Sequence, residues 1–315
     1  MSEILISFII PAYNAAPYLK ACVDSVYSLD LKGHDREVIV VNDGSTDATA
    51  DVAEQCKKHH PDLQILTQEN KGLSVSRNYA LELARGRYAC FVDADDELDA
   101  HCDTEELLTV LKEGRIDIVG IDIIQQEPDG KRRPYRRYVP IYDKVYAPAR
   151  EFMRGRNLFP SACSYLYRRE FIEARGMHFM PGVYHEDEDF SVRIFALASS
   201  FLALRLPWYV RIVREESITT TTDRGKQQRK LRDILEVLRN LDAFSAGNKE
   251  YRKCMAYKMD YIVVDMLRTM MQQSHEKKFE REMIEALQQM KRFPLPWHWN
   301  IKYILFNVYT RLKYL

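Results

Sequence analysis

Tyr88-Ala-Cys-Phe-Val-Asp-Ala-Asp-Asp96 decides how the rest of this 315-residue chain is read. Its first five residues are apolar or aromatic without alternation, as in a strand buried on both faces, and then the run breaks into acid. Strand alternation puts Asp93 and Asp95 on the same side. Two carboxylates left together at a strand end repel each other unless a cation joins them. Hard oxygen ligands of that kind suit Mg²⁺ or Mn²⁺ bridging a diphosphate. The plainer alternative is a solvated acidic turn, because Asp96, Glu97 and Asp99 continue the run.

Working outward, the same design recurs. Leu5 to Ile10 reads as a buried strand, followed by Pro11-Ala12-Tyr13-Asn14 and a helix from about Tyr18 to Ser28. Glu37 to Val41 is a second strand that ends in Asn42-Asp43-Gly44-Ser45, a turn whose Ser45 or Thr46 can cap the next helix. Leu63 to Leu66 is a third, with Asn70-Lys71-Gly72 beyond it and a helix from Leu73 to Ala84; Ile116 to Ile124 is a fifth. Strands alternating with helices imply βαβ units, a largely parallel sheet and helices on both faces. In such a sheet ligands bind outside the carboxyl ends of the strands, where these polar segments fall. Tyr13 can lie along a base, Asp43 can accept from its ring N–H, and Arg77 can reach phosphates. Each segment alone is also ordinary turn chemistry.

Past Gln125 the pattern changes. Arg132 to Tyr146 reads as extended, basic and aromatic, Glu186 to Ala198 as a helix, and Phe201 to Val213 as strands broken at Pro207. From about Asp223 the chain reads as long helices. The expected division is a catalytic domain over 1–222, with halves at about 1–125 and 126–222, and a helical region over 223–315. His185-Glu-Asp-Glu-Asp-Phe190 opens a helix, where acids favour the positive dipole end; one of them can equally serve as a general base.

The bulk numbers exclude several classes. Lys+Arg and Asp+Glu each total 46, so no net field draws the chain to nucleic acid. Six cysteines form no CxxC pair and no zinc spacing, which fits a reducing compartment. Glu3 stands where a signal peptide would be basic, the apolar run stops at Pro11, and nothing approaches the ~20 apolar residues of a membrane span. The expected location is cytoplasmic, with peripheral contact to the inner face of the cytoplasmic membrane as an option.

Taken together, Ser7-Phe-Ile-Ile-Pro-Ala-Tyr-Asn14, Val38-Ile-Val-Val-Asn-Asp-Gly-Ser-Thr-Asp47, Asn70-Lys-Gly-Leu-Ser-Val-Ser-Arg-Asn78, Phe91-Val-Asp-Ala-Asp-Asp96 and Glu186-Asp-Glu-Asp-Phe190 resemble the family-two inverting glycosyltransferases of the GT-A fold, in order and in spacing, over roughly the first 220 residues. The resemblance implies an α/β, Rossmann-like, mostly parallel sheet flanked by helices, with a C-terminal helical extension. It implies a UDP-sugar donor, a carbohydrate or lipid-linked acceptor and a role in bacterial surface polysaccharide synthesis. Carried over residue by residue, Ala12, Tyr13 and Asp43 line the uracil pocket, with Pro11, Asn14, Lys71 and Ala94 beside them. Arg77 lies near the nucleotide, Asp93 meets the ribose side, and Asp95 holds Mn²⁺ or Mg²⁺ on the diphosphate. Asp187 is the general base, and Arg214 and Ser217 resemble a segment that folds over the donor phosphates. The rivals are a sugar-nucleotide nucleotidyltransferase, which would want a Gly-rich loop where Pro11-Ala12-Tyr13-Asn14 stands, and a catalytically silent binding module.

The tail from Lys291 to Leu315 mixes Trp297, Trp299, Tyr303, Phe306, Tyr309 and Tyr314 with Lys302, Arg311 and Lys313. Ile301, Ile304, Leu305, Val308 and Leu312 fall on one helical face. Such a helix can lie in a membrane interface, pack on the catalytic domain or form a homodimer contact. The basic run Lys131 to Arg137 can steer an acidic acceptor, although such runs are more often solvated loops.

Overall fold

The computed structural model describes residues 4–31, 35–138, 141–214, 223–273, 275–297 and 301–315. The strands are β1 Ile4–Ala12, β2 Asp35–Asp43, β3 Gln64–Gln68, β4 Tyr88–Phe91, β5 Glu97–Leu98, β6 Ile118–Gly120, β7 Ile123–Gln126, β8 Arg132–Arg136, β9 Val145–Tyr146, β10 Tyr165–Arg168, β11 Phe201–Ala203 and β12 Tyr209–Ile212. The helices are α1 Leu19–Tyr27, α2 Thr49–His59, α3 Leu73–Leu83, α4 Glu105–Glu113, α5 Arg150–Met153, α6 Arg169–Ala174, α7 Glu186–Leu197, α8 Arg224–Ser245, α9 Lys249–Gln272, α10 Lys277–Gln289 and α11 Ile301–Tyr314.

An eight-stranded sheet runs in the order β3-β2-β1-β4-β10-β6-β11-β9. One half, β3-β2-β1-β4, is parallel throughout, as the βαβ pattern requires. β10 enters antiparallel between β4 and β6, so the sheet is mixed beyond β4. Phe8, Ile9, Val38 to Val41 and Tyr88 to Phe91 are fully buried, which explains why those strands read as unbroken apolar runs.

The expected single strand from Ile116 to Ile124 is two strands in different sheets. β6 belongs to the large sheet and β7 to a four-stranded sheet ordered β5-β12-β7-β8. Between them the Ile121 amide donates to Ser164 and the Asp122 amide to Leu206, so the backbone changes partners at that step. Gly120 and Asp122 stand at that step, but a glycine and an acid within a short apolar segment do not by themselves say that the strand passes to a second sheet. Phe201 to Val213 divides in the same way, β11 going to the large sheet and β12 to the small one.

α8, α9 and α10 pack behind α5 and α7, and one continuous apolar core runs through the strands and these helices. Asp223 caps α8 by accepting from the Lys226 amide, and Asn248 caps α9 by accepting from Glu250 and Tyr251. All six cysteines are free and five are buried. Among the described residues no helix is long and apolar enough to cross a membrane.

Candidate active site

Three loops at the carboxyl ends of the parallel strands are tied to one another before any charge chemistry begins. Pro11 and Ala12 are buried at the end of β1, while Tyr13 is 51% exposed. Asn14 follows with φ 49°, its amide donating to Ser45 Oγ at 3.1 Å and its side-chain carbonyl accepting from Thr46 N at 2.8 Å. Asp43 is buried and accepts from the amides of Lys71 at 2.9 Å and Gly72 at 2.8 Å and from Gln68 Nε2 at 2.6 Å. Asp43 therefore builds the loop that presents Lys71, whose side chain is exposed. Gly44 has φ 67°, and a Cβ there would stand 2.5 Å from Asn70 N, so the turn admits only glycine.

Arg77, early in α3, is the centre of the site. Its side chain is 2% exposed, packed over Phe179 and Phe91. One guanidinium nitrogen donates to Asp93 Oδ1 at 3.1 Å, and the other donates to both Glu186 Oε1 and Asp187 Oδ1 at 2.9 Å. The two acidic clusters that the sequence kept about 90 residues apart meet on this one cation. Arg77 thus sits beneath the carboxylates, a placement that the periodicity of α3 does not specify.

The acids respond to this crowding. Burial is the largest influence on Asp187; Arg77 pulls its carboxyl down while Glu186 and Asp93 push it up, and the net result is a pKa raised to about 7. Asp96 is also raised to about 7, by burial and then by Asp93, although it accepts from Ile212 N at 2.9 Å and from the Tyr209 hydroxyl at 2.7 Å. The same hydroxyl accepts from Asp93 N, so the acidic loop is fastened to β12. Asp95, 54% exposed, is raised by partial burial and Asp93, and is opposed by Arg214, whose Nη1 lies 2.6 Å from its carboxylate. Arg214 also donates to the Asp95 carbonyl and stacks 3.8 Å from the centre of the Tyr18 ring. Ser217 lies outside the described residues, and Ala94 is buried in the acidic loop.

The donor set fits a divalent cation shared with a substrate. Among the described residues no three His, Cys, Asp or Glu side chains cluster as a complete metal cage. Asp93 and Asp95 offer two, and Mg²⁺-type ions usually take one or two carboxylates plus phosphate oxygens. Burial, and after it the neighbouring Asp93, keeps Asp95 raised despite Arg214, and the same two influences keep Asp96 raised despite its hydrogen bonds.

The rest of the α7 acid cluster has other employment. Glu188 pairs with the buried Lys258 of α9 at 2.8 Å, and Asp189 is held by Arg193 and by Asn240 of α8. Glu186 and Asp187 alone of the four reach Arg77. Glu186, Asp96, Tyr209 and Tyr18 are site residues that sequence reasoning did not single out. Tyr18 and Tyr209 carry no sequence signal, whereas Asp96 and Glu186 stood inside runs already marked. The basic run on and beside β8 is largely paired, Lys131 with Asp129, Arg132 with Asp99 and Arg133 with Glu127.

A parallel half-sheet with the loops at its carboxyl ends laced together, and an acidic loop at the fourth strand joined through Arg77 to the head of α7, are the arrangement of the GT-A fold. The chain belongs to glycosyl transferase family 2, whose model matches residues 7–176. The uncharacterized glycosyltransferase EpsJ of Bacillus subtilis is 30% identical over 224 residues, spanning 68% of this chain and 63% of that protein. The chain thus covers less than two thirds of that relative's length. TarS 1-349 of S. aureus, solved in complex with UDP-GlcNAc, superposes with a TM-score of 0.67 over 91% of this chain and 80% of that one, at 19% identity. The mannosyltransferase PcManGT of Pyrobaculum calidifontis, in complex with GDP-Man and Mn²⁺, gives 0.57 over 90% and 75%, at 18% identity.

Proposed function

We propose that this chain transfers a sugar from a UDP-sugar to a hydroxyl of a carbohydrate or lipid-linked saccharide, with inversion at the anomeric carbon, as surface polysaccharide synthesis requires. One observation carries the reading: a single buried guanidinium joins Asp93 of the acidic loop to Asp187 at the head of α7. Metal-side and base-side carboxylates are thereby set in one frame.

Asp187 acts as general base. Its raised pKa, about 7, is close to the pH at which such a group works best, since it is both ionised and able to hold a proton. It takes the acceptor hydroxyl proton as the oxygen attacks, and the sugar passes through an oxocarbenium-like state. Asp95, with Asp93 beside it, is the ligand pair for Mn²⁺ or Mg²⁺. Such a cation, when bound, neutralises charge on the departing diphosphate, so no acid need protonate it. Tyr13 lies along the base, with Ala12, Asp43 and Lys71 framing it, and Arg214 exchanges Asp95 for the phosphates.

UDP-GlcNAc on TarS supports the uridine donor, and Mn²⁺ on the mannosyltransferase supports the cation. A mass-spectrometric screen of nucleotide sugars with and without Mn²⁺ tests the reading. The expected result is cation-dependent release of the nucleoside diphosphate, with the sugar carried to water or to an added saccharide. Formation of a nucleoside triphosphate from pyrophosphate would indicate a nucleotidyltransferase instead. No turnover with any donor would leave a silent binding module.

A further inference from the structure

α11 turns much of its aliphatic surface outward. Its inward face carries Tyr303, Asn307 and Thr310, all buried, with Asn307 Nδ2 donating to the Leu295 carbonyl at 3.0 Å and Thr310 Oγ1 to Asn307 at 3.0 Å. Arg268 of α9 stands over the Phe306 ring, and Tyr261 of α9 faces Tyr303. The helix is therefore seated by a mixed face, its Tyr303 and Phe306 rings toward α9 and Asn307 toward the Leu295–Pro296 segment. Its other side exposes Leu305 at 65%, Leu312 at 83%, and also Val308, Tyr309 and Leu315. At about 100° per residue these five lie within about a third of the circumference. Scattered exposed leucines are ordinary, but a contiguous apolar ridge on a helix that buries Asn307 and Thr310 calls for a cover.

Charge selects the cover. From residue 286 to 315 there are five Lys or Arg and no Asp or Glu, in a chain that is neutral overall; Arg292 is paired with Asp242 and Asp260, and α11 itself carries Lys302, Arg311 and Lys313. Lys302 and Lys313 project along one margin of the ridge at helical spacing, and Arg311 lies 4.9 Å from the ring of the exposed Trp297. A second copy would meet this surface across a two-fold axis and bring basic margin against basic margin. An anionic bilayer meets it with opposite charge, and Trp and Tyr rings settle at the headgroup level.

We propose that the outward face of α11 docks the protein on an anionic phospholipid surface. Leu305, Val308, Leu312 and Leu315 enter the acyl boundary, and Lys302 and Lys313 engage lipid phosphates. The surface stands independently of the transfer reading and depends on it only for its purpose, which is to bring the Asp187 site to acceptors carried on lipid.

Co-sedimentation of the full chain with phosphatidylcholine vesicles, with and without phosphatidylglycerol, tests this. Binding is expected to anionic vesicles, to weaken as salt rises, and to be small on neutral ones. Leu305→Glu with Leu312→Glu should weaken it by about tenfold or more, and Lys302→Glu with Lys313→Glu likewise, with melting temperature and Mn²⁺-dependent donor hydrolysis unchanged. Leu312→Glu alone replaces the double variant if that one melts early. The proposal is overturned if no vesicle binds, if the leucine variants bind as well as the parent, or if sedimentation reveals a dimer that those variants dissolve. Vesicle binding without any donor hydrolysis would sink the transfer reading and leave the lipid surface standing.

Discussion

Replacing Arg77 with methionine keeps most of the side-chain volume and removes the one charge that three carboxylates share. The guanidinium is 2% exposed and makes contacts of 2.9, 2.9 and 3.1 Å. Charge-assisted hydrogen bonds contribute about 1.5–3 kcal/mol each, but they do not simply add, because Asp93, at 40% exposure, can be rehydrated. Breaking a buried pair by removing one partner costs about 3–5 kcal/mol, which is the better measure here. At about 2–4 °C per kcal/mol, Tm should fall by roughly 6–20 °C. The loss should also depend on pH with a definite sign. Asp187 already keeps its proton in the folded state up to about 7, whereas an unfolded Asp has lost it. Such a group favours the fold in acid and loses that contribution as pH rises through about 7. Without Arg77 the penalty near neutrality grows, so lowering the pH from 7.5 toward 5 should recover part of the lost Tm. Arg77→Lys should recover little, since an ammonium cannot fork to three acids. Differential scanning fluorimetry across pH measures all of this. A loss under about 1 kcal/mol, or one that deepens in acid, would refute the reasoning.

Arg214→Ala frees Asp95 from its ion pair, and Mn²⁺ should then bind the nucleotide-free protein about two- to fivefold more tightly by electron paramagnetic resonance; weaker binding would contradict the pairing. The transfer rate should rise with pH on a limb near 7 as Asp187 ionises, and that limb should vanish from the residual activity of Asp187→Asn in a stopped pH series. Gly44→Ala meets Asn70 N at 2.5 Å in a left-handed turn, so denaturant unfolding should show a loss of about 1–3 kcal/mol and donor binding should weaken with it. Asp43→Asn gives up one of the oxygens that hold the Lys71 and Gly72 amides, and a similar loss of about 1–3 kcal/mol is expected from the same assay.

The parallel half of the fold was legible because its strands are buried on both faces and end in turn residues, so that apolar run and loop chemistry agree at Ala12, Asp43 and Val92. Glycines and acids at those ends also marked these loops as candidates for a ligand. Partnership was not legible. The pairing of Glu188 with Lys258 and of Asp189 with Asn240 joins residues on different helices, and no local period encodes it. Arg77 was placed at the nucleotide, but helical spacing does not say how deep a long side chain will be drawn by carboxylates from another segment. The split of Ile116 to Ile124 was hidden because Gly120 and Asp122, which stand at the step, do not encode which strand each half will pair with. On α11 the apolar stripe was visible, and the surprise is its direction: Asn307 and Thr310 satisfy their hydrogen bonds locally, so they can be buried while Leu312 is left outside.

The most direct test is single-turnover transfer by Asp187→Asn, measured against donor concentration in Mn²⁺. That one experiment returns both donor affinity and the rate of the chemical step. If the acid at the head of α7 serves the acceptor and the acidic loop serves the donor, affinity will match the parent while the rate falls about 10²- to 10⁴-fold. A rate close to the parent's would mean that Asp187 takes no proton and merely buttresses Arg77.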